Sequence, residues 1–128
     1  MTPFIDYSVQ GSDAWLQARC GKATASEFSS ILAKGQGKTR AAYLRRVLSE
    51  RLTGKPSETY TNAHMERGKD QEPYARMAFE ALKGVLVEEV GFIKHADLEA
   101  GCSPDGLIED DGGAEIKSVI PTVQLETI

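Results

Sequence analysis

Between Leu107-Ile108 and Ile116 stands Asp110-Asp-Gly-Gly113, a run that suits a chain reversal and little else. Asp tolerates the left-handed backbone region and bonds its own main chain, and Gly enters that region freely. Such a turn folds a strand over 106–109 back against one over 114–117, and the rest of the chain must build around that hairpin. Val85-Leu-Val87 and Phe92-Ile93, both after Gly84, are further short apolar stretches suited to strands. Before Gly84 the periodicity is helical. Ser12 is placed to cap a short helix carrying Trp15, Leu16 and Arg19, which Gly21 interrupts. Thr24-Ala-Ser-Glu27 has capping-box spacing ahead of Phe28, Ile31 and Leu32, so a helix is expected over 25–33, followed by a flexible Gly35-Gln-Gly37 loop. Tyr43/Leu44, Val47/Leu48 and Leu52 mark a helix over 39–53 that Gly54-Lys-Pro56 closes. A third helical region begins near Asn62 and reaches Leu82, with a kink or fresh start expected at Pro73. Helices first, then a small mixed sheet, is an α/β or α+β architecture.

With 128 residues, 41% of them hydrophobic, the chain can bury one core. No repeat or linker divides it, so a single domain over 1–128 is expected. No apolar run approaches the length that spans a bilayer, and the N-terminus lacks the basic start and apolar stretch of an export signal. The cytoplasm is therefore the expected compartment, with no membrane partner. Cys20 and Cys102 are too few and too far apart for a disulfide framework or a zinc site, and read as buried reduced thiols. His64 and His95 lack partners at metal-ligand spacing and read as structural or surface residues; Trp15 reads as a core anchor. The net charge of −4 is unevenly spread. Residues 16–55 carry nine Lys or Arg against Glu27 and Glu50, whereas residues 56–128 carry six basic and fifteen acidic residues. A basic region suits phosphate backbones and an acidic one suits divalent cations, although composition alone favours simply solvated surface for both.

The chemistry starts at Glu115-Ile-Lys117. In a strand Glu115 and Lys117 share one face and Ile116 turns to the other. Read alone, this is an ordinary exposed ion pair. The hairpin adds Asp105, set between Pro104 and Gly106, by bringing it close to that pair across the sheet. Ser103-Pro-Asp-Gly106 is also a good turn, and the two readings are compatible. Glu72 is the third acid. At helical spacing it falls among Met65, Gly68, Ala75 and Phe79, where an ionised carboxylate needs a partner or a metal; a helix rotated or broken at Pro73 would instead expose it. Carboxylates beside a lysine suit phosphodiester hydrolysis with Mg²⁺ or Mn²⁺, and Lys117 could orient water or stabilise charge on the phosphate. Upstream, Ser26 falls in the first turn of the helix that Thr24 would cap, a seat for a phosphate that Arg19 could clamp. Singly, Ser26 is a tolerated residue near a cap and Arg19 an exposed helix residue.

Together these residues resemble the phage lambda exonuclease and YqaJ-type viral recombinase family of the PD-(D/E)xK nucleases. Trp15-Leu-Gln-Ala-Arg19 with Thr24-Ala-Ser26, Arg67-Gly-Lys-Asp-Gln-Glu72, Ser103-Pro-Asp-Gly106 and Glu115-Ile-Lys117 carry the resemblance across residues 12–120. It implies a restriction-endonuclease-like core and a 5′-to-3′ exonuclease acting on double-stranded DNA ends in phage-type homologous recombination. It implies that Asp105, Glu115 and the Ile116 carbonyl ligate metal, that Glu72 lies near a second ion, and that Lys117 is the catalytic lysine. Arg19 and Ser26 match positions that bind the 5′-terminal phosphate. A ring-shaped homotrimer and a single-strand annealing partner are implied as well. One departure stands out: family members continue through a further helix and strand, so a fragment is expected. An endonuclease of the same fold and a non-catalytic DNA-end-binding or assembly domain remain the alternative readings.

Overall fold

The structure, a computed structural model, describes residues 2–34, 37–57 and 63–126. Asn62 at the expected helix start, Gly35 and Gln36 of the expected loop, and the side chain of His64 lie outside the described residues. The chain gathers into two compact units, Met1–Glu58 with Glu89–Pro104, and Thr59–Glu88 with Asp105–Ile128.

The first unit contains β1 (Phe4–Asp6), α1 (Asp13–Arg19), β2 (Ala23–Thr24), a 3-10 turn (Ala25–Glu27), α2 (Phe28–Ile31), α3 (Lys38–Thr53), β3 (Phe92–Lys94) and β4 (Ala100–Cys102). Helix α1 forms where the local signals put it. The Ser12 hydroxyl accepts from the Trp15 amide at 3.3 Å, and Asp13 and Arg19 occupy the dipole-favoured ends. The expected capping box does not form. Thr24 makes no side-chain cap, because it belongs to β2 and its hydroxyl turns to Ser26, while Glu27 bonds Ser30 and Arg46. The segment is consequently one 3-10 turn and a four-residue helix, not a helix over 25–33. Helix α3 forms over nearly the expected range, although Leu44, Leu48 and Leu52 of its apolar spacing are exposed. It ends at Gly54, which takes the left-handed conformation at φ 66° while its amide donates to the Glu50 carbonyl at 2.9 Å.

The four strands form one mixed sheet in the order β1-β3-β4-β2. β1 and β4 flank β3 antiparallel, with Ile5 opposite Ile93 and Ile93 opposite Cys102, and β2 runs parallel to β4. Strands β1, β2 and β4 carry no apolar alternation long enough to announce them. Phe92 is fully buried and Val90 nearly so. Trp15 anchors α1 by donating from Nε1 to the Gly91 carbonyl and to Ser103 Oγ, both at 3.0 Å. It is half-buried, as are Cys20 and Cys102, so the two thiols are free but not fully buried. His95 is structural: its Nδ1 accepts from the Asp97 and Leu98 amides.

The second unit holds α4 (Ala63–Lys83), β5 (Gly106–Ile108), β6 (Gly112–Ala114) and α5 (Pro121–Glu126). α4 runs unbroken through Pro73, contrary to the expected restart. Proline removes one helical hydrogen bond, and the carbonyl it leaves belongs to the exposed Lys69. Val85–Val87 is not a strand; only Glu88 bridges Leu107. β5 and β6 form the expected antiparallel hairpin, but the reversal falls on Glu109-Asp110-Asp111 and both glycines enter the strand. Glu109 takes the left-handed conformation at φ 52° that the turn needs. Among the described residues no helix is long and apolar enough to cross a membrane.

Candidate active site

In the second unit, Glu115-Ile116-Lys117 lies just beyond β6 and not within it. Its exposure still alternates, with Glu115 and Lys117 out and Ile116 half-buried, as an extended chain requires. Asp105 is clamped to the residues on either side of Glu115. Its amide donates to the Ala114 carbonyl at 3.1 Å, and its Oδ2 accepts from the Ile116 amide at 2.6 Å. Gly106 makes this possible, since a Cβ there would collide with Val87. Glu115 Oε1 and Lys117 Nζ meet at 2.5 Å. That bond holds the lysine above its ordinary pKa against the opposing effect of burial, and the charges of Glu115 and Asp105 act in the same direction. The hairpin thus brings Asp105, Glu115, Ile116 and Lys117 together.

Glu72 is placed differently from its expected company. Met65, Ala75 and Phe79 are exposed, and the inward face of α4 is Gly68, Glu72, Arg76 and Glu80 at four-residue spacing. Arg76 is buried and its Nη2 meets Glu72 Oε1 at 2.7 Å, so the half-buried carboxylate has a cationic partner. Glu80 accepts from the Val87 amide and fixes the chain leaving α4. Next to Glu72, Gln71 accepts from the hydroxyl of Ser118, which ties α4 to the residue after Lys117. Among the described residues no three His, Cys, Asp or Glu side chains gather as a metal cluster. Sequence reasoning missed Arg76 and Gln71; the four-residue step from Glu72 was the available signal for Arg76.

The first unit brings together Arg19 and Ser26, with Arg19 Nη2 donating to Ser26 Oγ at 3.3 Å. The Arg19 guanidinium stacks 4.1 Å from the Trp15 ring centre. Burial lowers its pKa, and Arg46 adds to this while Tyr43, Glu50 and Glu27 oppose it; an arginine stays charged regardless. The expected helix-end seat for phosphate is weaker than the sequence suggested, since Ser26 sits in a single 3-10 turn. The side-chain contact with Arg19 carries the pairing instead.

The family model of the YqaJ-like viral recombinase domain matches residues 14–126. Two solved structures of an alkaline exonuclease from Laribacter hongkongensis, LHK-Exo, are similar to the chain, one of them a complex with dAMP. Each is 38% identical, covers 91% of this chain and superposes with a TM-score of 0.79. The chain spans 58% of the length of those solved chains. No curated protein matches the sequence.

Proposed function

The chain belongs to the YqaJ-like viral recombinase domain family, and from that premise we propose that it is the nuclease core of a metal-dependent 5′-to-3′ exonuclease. Its substrate in this reading is linear double-stranded DNA with 5′-phosphorylated ends. The observation that carries the reading is the double clamp of Asp105 onto the Ala114 carbonyl and the Ile116 amide, on either side of Glu115. It fixes one oxygen of the carboxylate, and the bond to Glu115, helped by the charge of Asp105, favours the protonated form of Lys117. In extended backbone a residue's amide and carbonyl face the same side, which supports the Ile116 carbonyl as a ligand alongside Asp105.

The donor set fits a hard cation. Asp105, Glu115 and the Ile116 carbonyl offer only oxygen, and Mg²⁺ or Mn²⁺ takes one or two carboxylates and fills its shell with water and phosphate. Bound there, the ion would lower the pKa of a water and neutralise charge on the phosphate. Lys117 then supplies a positive charge for the oxygens of the scissile phosphate, once substrate draws it from Glu115. Glu72, held by Arg76, is assigned to a second ion. Arg19 and Ser26 are assigned to the 5′-terminal phosphate, for which a guanidinium and a hydroxyl are suitable donors. A ring trimer and a single-strand annealing partner belong to the same proposal.

The test is a time course on 5′-phosphorylated linear duplex with Mg²⁺, with closed circular DNA as the control for endonuclease action. Digestion of the linear form alone, stopped by EDTA and abolished in Lys117→Ala with end binding retained, is expected. Undiminished cleavage by Lys117→Ala would overturn the assignment. The mutual Glu115–Lys117 pairing favours one second reading, a domain that binds DNA ends without cutting them. In that case ends are bound and no nucleotide is released at any Mg²⁺ concentration.

A further inference from the structure

The Arg19–Ser26 contact is one edge of a larger polar cluster in the first unit. Thr24 is buried, and its amide donates to the Tyr43 hydroxyl oxygen at 3.1 Å. Thr24 Oγ1 lies 3.1 Å from Ser26 Oγ, which also accepts from Arg19. The phenol therefore accepts within the fold, and among the described residues no acceptor takes its own proton. The half-buried Tyr43 ring lies under the Arg46 guanidinium, 5.0 Å from it, while Arg46 is held in turn by Glu27. Arg19 Nε is buried and has no hydrogen-bond partner among the described residues. The cluster thus has more donors than acceptors: the Tyr43 proton, the Arg19 Nε–H, and one hydroxyl proton of the Thr24–Ser26 pair. Arg19 Nε is a buried donor left without an acceptor, which is unfavourable, while the Ser26 hydroxyl is exposed and Tyr43 half-buried, so an anion with several oxygens can reach and satisfy them together.

We infer that Tyr43 is a specificity-determining residue of this site, donating its phenolic proton to the terminal phosphate monoester of a DNA end beside Arg19 and Ser26. The inference rests on the 5′-phosphate reading above. A phosphate monoester presents three charged terminal oxygens to these donors, and a 5′-hydroxyl end only one neutral oxygen.

Equilibrium binding of a fluorescent duplex with 5′-phosphate or 5′-hydroxyl ends, measured in EDTA, separates the two claims. Wild type should prefer the phosphate, and Arg19→Ala should lose that preference. Tyr43→Phe keeps the ring beneath Arg46 and should lower the preference about tenfold, as loss of one hydrogen bond to a charged group does, with hydroxyl-end binding and melting unchanged. Full preference in Tyr43→Phe, with Arg19→Ala impaired, overturns the role of Tyr43 and leaves the phosphate reading standing. Equal weakening on both ends, or failure of Tyr43→Phe to fold, also overturns it, because the hydroxyl is then structural. Preference retained in Arg19→Ala, or absent in wild type, removes the phosphate site itself.

Discussion

Gly101→Ala tests the tightest point of the four-stranded sheet. Gly101 lies in β4, with Lys94 opposite on β3 and Thr24 on β2. A Cβ there would fall inside contact distance of the Ile93 carbonyl and Phe92 Cζ, and 2.8 Å from Phe92 Cε1. Carbon atoms rest at about 3.5–4.0 Å, so the overlap is large. The obstacles cannot turn aside, since one is backbone and the other is the ring of the fully buried Phe92. Overpacking a core costs about 1–3 kcal/mol, and immovable neighbours place this site near the upper end, about 3 kcal/mol. For a chain of this length that lowers the melting temperature by roughly 10 °C. Trp15, the sole tryptophan, belongs to the same unit and bonds Gly91 and Ser103, so its fluorescence follows the melt directly. Gly113→Ala, where a Cβ meets nothing within 4 Å, serves as the control and should melt within about 2 °C of wild type. A Gly101→Ala protein that melts like wild type would refute the close-packing argument.

Two further substitutions each probe a side chain that makes two hydrogen bonds. Burial pushes the Glu50 carboxyl up, but hydrogen bonds from the Gly21 and Ser57 amides outweigh it, and the net pKa lies below its ordinary 4.5. A depressed carboxyl pKa contributes stability that is present above 4.5 and lost as pH falls through the folded value. Glu50→Gln should therefore destabilise by about 1 kcal/mol at neutral pH and flatten the acid side of a melting-versus-pH curve; an unchanged curve argues against the clamp. Trp15→Phe removes the shared donor to the Gly91 carbonyl and Ser103 Oγ and should cost about 1–2 kcal/mol in urea unfolding followed by circular dichroism. A loss below about 0.5 kcal/mol would mean that the indole N–H is not part of the anchor.

How far the sequence carried the fold depends on distance along the chain. Ser12, Asp13 and Gly54 act on residues a few positions away, so α1 and α3 were legible at their ends. The hairpin is local too, and Asp105, Glu115 and Lys117 were therefore brought together as expected. β1 and β2 are three and two residues long and pair with strands more than seventy residues later, and nothing in so short a run encodes such a partner. The Thr24–Glu27 spacing misled because Glu27 had a stronger partner in Arg46, nineteen residues on. On α4 the hydrophobic residues were taken for the inward face, whereas Arg76 lies buried and Met65 and Phe79 do not. Tyr43 entered the periodicity as an apolar residue, and its hydroxyl became informative only when Thr24 was seen against it.

The two compact units are interleaved along the chain: it leaves the first after residue 58, returns at 89 and leaves again at 104. During synthesis this ordering sets a schedule. When β1 emerges, its partner β3 is more than eighty residues from being made, and β2 waits about as long for β4. Long-range pairing of this kind slows folding, because a large loop must close before the contacts return anything. α1 and α3 can form early, but the sheet edge bearing Thr24 stays unpaired until Ala100–Cys102 has been added. The first unit is therefore completed only once the chain has passed Pro104, and the second only after the hairpin that follows.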